Sequence, residues 1–317
     1  VADRILEMFL ARGRRMPANN LRQALVPEGA TAIADPQPGT APGLICPIGS
    51  KVIYATPGVP YEMRQIVARA VIPDLQRRAG RPAVIRSRTL RTWGESESGL
   101  AERLADHLAE LDRTGVVTLA YLASGIEGLK VRMTVKARDQ AEAAVVLDDE
   151  ERLLRERLGE LVFGVDDVGM EQAVAELLVE RSSTLAVAES LTGGLVAARL
   201  VNVPGASEWF RGGIVAYASD VKQSLLGLEP GPMVSEEAAR AMATGVRQVL
   251  GSDIGLGVTG VAGPDGQDGE RPGTVFLACV GVGDDVVARV QLPGDRERVR
   301  QFACISLLDL LRRQLRR

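Results

Sequence analysis

The 317 residues are 46% hydrophobic and 25% charged with a net charge of −3, the balance of an ordinary globular chain of two or three domains. That charge gives no reason for nucleic acid as an obligatory partner, and no apolar run approaches the roughly eighteen residues of a membrane span. Cys46, Cys279 and Cys304 form no CxxC, and with the single His107 they exclude a thiolate–imidazole zinc site of the usual kind. Their odd number, with nothing resembling a secretory leader, points to a reducing cytoplasm.

Residues 1–10 lack an initiating Met and already show helical apolar spacing at positions 5, 6, 9 and 10, as if inside a longer chain. A loop-rich stretch with Pro27, Pro36, Pro38, Pro42 and Pro47 leads to a strand at 51–55. Pro57-Gly58-Val59-Pro60 and a helix from about Tyr61 follow. Eight arginines crowd into 64–91 against the lone Asp74; with almost no aromatic interleaving they read as a solvated helix and hinge rather than a nucleic-acid surface. Next come a strand (86–92), a helix (95–111), two strands (116–122, 129–137) and a helix (140–158), a βαββα unit ending near Phe163. The last segment opens with a helix near Met170. Strands are predicted near 184–188, 213–217 and 254–258, with helices near 193–202, 219–226 and 235–250 between them. Strands at 274–281 and 286–292 flank Gly283-Asp284-Asp285 as a hairpin, and a helix closes the chain from about Asp295. Helices interleaved with strands predict an α/β layer structure with an antiparallel pair at one end of the sheet.

Four of the 38 basic residues are lysines, and Lys222 alone lies beyond position 136. Arginine stays protonated at any working pH, whereas lysine can be tuned to act as a base. Lys222 falls near position N3 of a short helix expected to be capped by Ser219 and ended at Gly227; a helix N-terminus disfavours an ammonium. The alternative is a solvated lysine. Upstream, Ala188-Glu189-Ser190-Leu191-Thr192-Gly193-Gly194 puts Ser190 at a strand-to-helix turn, where main-chain N–H groups can cradle a phosphate or an oxyanion. Alternatively Ser190 or Thr192 simply caps the helix. With His107 in the middle unit, a nucleophilic Ser190 would need Lys, Glu or Tyr as its base; Tyr217 ends its strand near the same cleft. The glycine-rich stretch 257–266 reads as a ligand loop or a flexible hairpin. Asp295 is a plausible N-cap, and Arg296 or Arg300 a phosphate clamp or a surface arginine.

Together these motifs (188–194; Tyr217-x4-Lys222-x3-Leu226-Gly227; Thr259-Gly260-x-Ala262-Gly263-Pro264-Asp265-Gly266; Gly294-Asp295-Arg296-x2-Val299-Arg300) resemble the C-terminal domain of the CinA (competence/damage-inducible) family, the nicotinamide mononucleotide deamidase module, over about 168–317. Met16-Pro17-x2-Asn20-x-Arg22-Gln23-Ala24, Pro38-Gly39-Thr40-Ala41-Pro42-Gly43 and Pro57-Gly58-Val59-Pro60-x-Glu62-Met63 resemble the latter part of that family's molybdopterin-binding-like domain. Gly94-Glu95-Ser96 resembles the start of its linking domain. The implied fold is α/β: a C-terminal three-layer α/β domain with a mixed sheet (166–317), a small α+β linking domain (81–165) and a partial molybdopterin-binding-like α/β domain (1–80). By resemblance Ser190 is the nucleophile, Lys222 the base, and Tyr217 and Thr259 support them. Glu189, Thr192, Gly193, Gly194, Gly260, Gly263, Arg296 and Arg300 bind substrate. The resemblance implies a nicotinamide-nucleotide amidase with no metal and no cofactor for deamidation, acting on a small nucleotide, and a homo-oligomeric (dimeric) chain. Three departures stand out: Leu191 where the family usually has Cys, a shortened loop at Arg271-Pro272-Gly273, and the absence of the first portion of the molybdopterin-like domain. A divalent ion is expected only if the N-terminal pyrophosphatase site is functional; the remaining pocket stretches, 39–43 and 57–60, supply few acidic groups beyond Asp35 and Glu62 for such an ion, and the segment is expected to lack ADP-ribose pyrophosphatase activity. That activity, or a non-catalytic nucleotide- or partner-binding module, is the alternative function.

Overall fold

The structure, a computed structural model, describes residues 1–79, 84–123 and 125–317. It divides into two compact units, Val1–Val84 and Ile85–Arg317. The first holds α1 (Ala2–Leu10), the antiparallel strands β1 (Thr31–Ile33), β2 (Gly43–Ile48) and β3 (Lys51–Ala55) in the order β1-β2-β3, then α2 (Pro60–Ile66) and α3 (Ile72–Ala79), joined by a π-helical turn. Ile33, Ile66 and Val71 form its small core. Asp74, the one acid among the crowded arginines, accepts from Arg77 (2.9 Å), Arg78 (2.6 Å) and the Tyr54 hydroxyl (2.6 Å). The hinge expected after this helix falls partly on 80–83, outside the described residues.

The second unit carries two sheets. In the first, β4 (Val84–Thr92), β5 (Val117–Ala123), β6 (Leu129–Ala137) and β7 (Val162–Val165) run in the order β5-β6-β4-β7. The expected single helix at 95–111 is broken at Leu104 into α4 (Glu97–Arg103) and α5 (Ala105–Thr114); α6 (Gln140–Leu158) is continuous, capped by Asp139. Alternation in β6 sends Val131, Met133 and Val135 inward against Leu100, Leu147 and Leu154. Arg88 and Arg91, from the arginine-rich stretch, are held in ion pairs with Glu151 (2.7 Å) and Glu127 (2.6 Å).

The second sheet has the order β12-β11-β10-β8-β9, from β8 (Leu185–Glu189), β9 (Phe210–Val215), β10 (Ile254–Gly260), β11 (Thr274–Val280) and β12 (Val286–Gln291). β9, β8 and β10 are parallel; β11 and β12 add an antiparallel edge, with the expected hairpin at 283–285. Helices cover both faces. Leu185, Val187, Leu256 and Val258 pack under α7 (Met170–Glu180), α8 (Leu195–Leu200) and α11 (Arg296–Leu315). Ala186 and Ala188 pack on the other side under α9 (Ser219–Leu226) and α10 (Glu236–Leu250). Buried on both faces, β8 is an unbroken buried run, as a central parallel strand requires. A Cβ on Gly257 would collide with the Ala239 carbonyl, so its lack of a side chain lets α10 lie directly on β10.

This three-layer mixed α/β arrangement sets the site. The chain leaves β8 through α8 on one face and leaves β9 through α9 and α10 on the other, which opens a crevice at the carboxyl end of β8. α11 is gripped at its far end: buried Arg312 donates to the Glu160 carbonyl (2.6 Å) and pairs with Asp309, while Arg316 donates to the Val162 carbonyl (3.4 Å).

Candidate active site

Ser190 follows β8 directly. Its N–H donates to the Val258 carbonyl of β10 (3.0 Å), and its own carbonyl accepts from Gly193 N–H (3.1 Å). Gly193 (φ 60°) and Gly194 (φ 95°) are both left-handed, a sharp reversal that side-chain-bearing residues make only at a cost. The reversal folds α8 back over Glu189, whose fully buried carboxylate accepts from Gly194 N–H (2.9 Å), Val196 N–H (3.1 Å) and Ala197 N–H (2.8 Å). An anion from the chain itself therefore fills the positive end of α8. Neither Ser190 nor Thr192 caps the helix, and no donors are left there for a ligand phosphate. Replacing Glu189 by alanine strands three buried donors and is expected to destabilise the fold by about 3 kcal/mol, visible as a lower unfolding midpoint in urea.

Several expected substrate contacts thus lie behind the cavity wall. Glu189 and Thr192 are fully buried, Gly193 and Gly194 shape the turn, and Arg300 donates to the carbonyls of Leu191 (2.9 Å) and Thr192 (2.8 Å), bracing that turn from α11. None of the five lines the cavity.

The others converge. A cavity of about 340 Å³ at the carboxyl end of the parallel strands is lined by Ser190, Tyr217, Lys222, Thr259, Gly260, Gly263 and Arg296, among others. Its size suits a small ligand. Arg296 spans the mouth, donating to the Gly263 carbonyl (2.9 Å) and the Tyr217 hydroxyl (2.6 Å); Asp295 caps α11 as expected. Thr259 Oγ1 donates to the Met233 carbonyl (2.6 Å), fixing the chain that enters α10.

Lys222 sits in the first half of α9, whose N-cap is Ala218; the expected cap Ser219 is the first helical residue and makes no capping bond. Lys222 is 4% exposed, and burial pushes its amine below the usual 10.5, partly offset by the charge of Asp268. Among the described residues, neither Lys222 Nζ nor Ser190 Oγ has a hydrogen-bond partner, and none joins the two; both groups are free to engage a ligand. Burial pushes the Cys279 and Cys304 thiols up to about 12, so neither offers a thiolate. The described residues contain no group of three or more His, Cys, Asp or Glu able to hold a metal ion, and Asp35 and Glu62 belong to none.

Asp268 escaped the sequence reading, which ended the glycine loop at Gly266. Its carboxylate accepts from Met233 N–H (2.8 Å) and Val234 N–H (3.0 Å). The signal was present, since Asp268-Gly269 is a strong turn dipeptide.

Residues 167–315, which include every lining residue, match the family described as CinA C-terminal domain, and residues 87–164 match the damage-inducible protein CinA KH domain. A CinA-like protein of Frankia casuarinae is 50% identical over 308 residues, covering 96% of this chain and 71% of its own length. The chain belongs to the CinA family. A CinA-like protein of Gloeobacter violaceus is 42% identical, covering 98% of this chain and 74% of its own. A solved CinA superfamily structure from Klebsiella pneumoniae 700603 is 31% identical over 46% of this chain and 96% of its own, with a TM-score of 0.45. In KH modules that bind nucleic acid a GXXG loop clamps the backbone. In this CinA chain Gly125-Ile126-Glu127-Gly128 has that spacing, but it joins β5 to β6, and its Glu127 is occupied by Arg91 (2.6 Å) and Arg199 (3.1 Å). No described helix is long and apolar enough to cross a membrane.

Proposed function

We propose that this cavity hydrolyses the carboxamide of nicotinamide mononucleotide, giving nicotinic acid mononucleotide and ammonia through an acyl-enzyme on Ser190. The observation that supports it is the meeting of an unpartnered serine hydroxyl and an unpartnered, buried lysine amine in one ligand-sized cavity. Neutral Lys222 takes the Ser190 proton as Oγ attacks the amide carbon. The Leu191 N–H, which donates no hydrogen bond within the described residues and directly follows the nucleophile in the chain, stabilises the oxyanion in this scheme. As the C–N bond breaks, the Lys222 ammonium protonates the leaving nitrogen, and ammonia departs. Water, deprotonated by Lys222, then releases the acid and restores the serine. Arg296, at the mouth, meets the nucleotide's phosphate, with Tyr217 aligning it. Every group in this scheme comes from the chain; it calls for no metal or cofactor.

Ammonia release from nicotinamide mononucleotide by the 317-residue chain tests the proposal, and release is expected to continue undiminished in excess chelator. Loss on chelation, restored by a divalent ion, would overturn the metal-free scheme. Binding without turnover would favour a nucleotide-binding module, and AMP from ADP-ribose would point to pyrophosphatase chemistry instead.

A further inference from the structure

We infer that Ser219 is a third catalytic residue of the cavity: its hydroxyl relays the proton between Ser190 Oγ and Lys222 Nζ. The inference deepens the Ser190–Lys222 reading and rests on it.

Three observations carry it. First, Ser219, Lys222 and Ser190 line the same cavity. Second, Ser219 opens α9 and Lys222 follows three residues later, so the two share one face of the helix, with Cβ atoms about 5–6 Å apart. Helical side chains lean toward the N-terminus, which lays the lysine stem over the turn that Ser219 begins. Third, the Ser219 hydroxyl is unspent. A serine at a helix start ordinarily caps it, but here Ala218 holds the cap position and Ser219 makes no capping bond. Further along α9 it is Ser224 that bonds back to the helix, donating to the Asp220 carbonyl (2.8 Å); among the described residues the Ser219 side chain has no hydrogen-bond partner.

The other hydroxyls of the cavity are engaged elsewhere. Thr259 spends its proton on the Met233 carbonyl (2.6 Å), and the Tyr217 oxygen accepts from Arg296 at the mouth (2.6 Å). Among the described residues no hydrogen bond joins Ser190 to Lys222, and direct transfer would need the two within about 2.6–3.2 Å. A hydroxyl both donates and accepts, so one placed between them covers the span of two hydrogen bonds, roughly 5–6 Å. As Ser190 Oγ bonds to the amide carbon, its proton passes to Ser219 Oγ, and the Ser219 proton passes to neutral Lys222 Nζ. When the C–N bond breaks, the ammonium returns a proton to Ser219, whose own proton goes to the leaving nitrogen, and ammonia departs. Ser219 ends each transfer as it began, a neutral hydroxyl.

The test compares Ser219→Ala, Ser219→Val and Ser219→Thr in the full chain; valine and threonine share a shape and differ by the hydroxyl. The side chain makes no bond that holds the fold, so all three are expected to unfold in urea close to the parent. With nicotinamide mononucleotide, the Ala and Val variants are expected to lose about 10²-fold in kcat at nearly constant KM, and the Thr variant to recover most of that loss. A second readout needs no substrate. Phenylmethanesulfonyl fluoride labels Ser190, the label is followed by mass spectrometry, and labelling is expected to slow in the Ala and Val variants but not in the Thr variant. Full kcat in the Ala and Val variants overturns the inference, as does a raised KM at unchanged kcat, which would make Ser219 a binding hydroxyl. If the parent releases no ammonia while the labelling still slows, the amidase reading fails and the relay stands. If the parent releases none and the labelling does not change, both fall.

Discussion

Ser190→Ala is expected to lower ammonia release from nicotinamide mononucleotide by about 10⁴-fold or more, while nucleotide binding and the unfolding midpoint stay close to those of the parent. The side chain makes no hydrogen bond within the described residues and caps no helix, so removing its oxygen subtracts nothing from the fold. Only the covalent step is lost. Single-turnover ammonia measurements beside a binding titration check both halves. Substantial turnover by the alanine variant would remove Ser190 from the chemistry and leave the cavity as a binding site.

Lys222→Arg is expected to be nearly as inactive as Lys222→Met, each losing about 10²–10⁴-fold in rate, although arginine keeps the charge. A guanidinium cannot surrender its proton, so an arginine variant that retains most activity would reduce Lys222 to an electrostatic role. The same assignment fixes the sign of the pH dependence. The working form is the neutral amine, so kcat/KM rises with pH through the depressed Lys222 pKa and levels off below the usual 10.5. Stability follows the same group. The unfolded chain holds this proton more tightly than the folded one, so folding stability in the parent rises with pH between the depressed value and 10.5. Lys222→Met abolishes that rise and is expected to stabilise the protein by about 1 kcal/mol at neutral pH, a melting shift of roughly 2–4 °C. A variant that is both dead and more stable would separate a functional lysine from a structural one.

What the sequence disclosed depended on the range of the interactions involved. The strands of the last sheet are short, largely apolar stretches set off by Gly-containing turns, so β10, the hairpin at 283–285 and Gly227 at the end of α9 were all legible. The five prolines from Pro27 to Pro47 read as a loop-rich stretch, and the last of them falls inside β2. Yet β1 pairs only with residues 43–45, so a missing N–H at position 47 has no partner to lose on that side. β7 is four residues long and exists through its pairing with β4, seventy or more residues earlier, which no local pattern announces. At the site, motif order brought Ser190, Tyr217, Lys222, Thr259 and Arg296 to one cavity. The carboxylate of Glu189 turning back onto N–H groups five to eight residues on, and Arg300 gripping carbonyls more than a hundred residues away, depend on tertiary geometry. Both residues stood in the motifs; their direction did not.

α11 ties distant parts of the second unit together. Its twenty residues span about 30 Å. At one end Arg296 and Arg300 hold the two loops that frame the cavity; at the other, Arg312 and Arg316 hold the chain that runs into β7 of the smaller sheet. A rod clamped at both ends cannot roll about its axis without loosening one grip or the other. The alignment of the nucleophile's turn is therefore mechanically referenced to a part of the protein that contributes no atom to the cavity, and torque applied at either end is felt at the other.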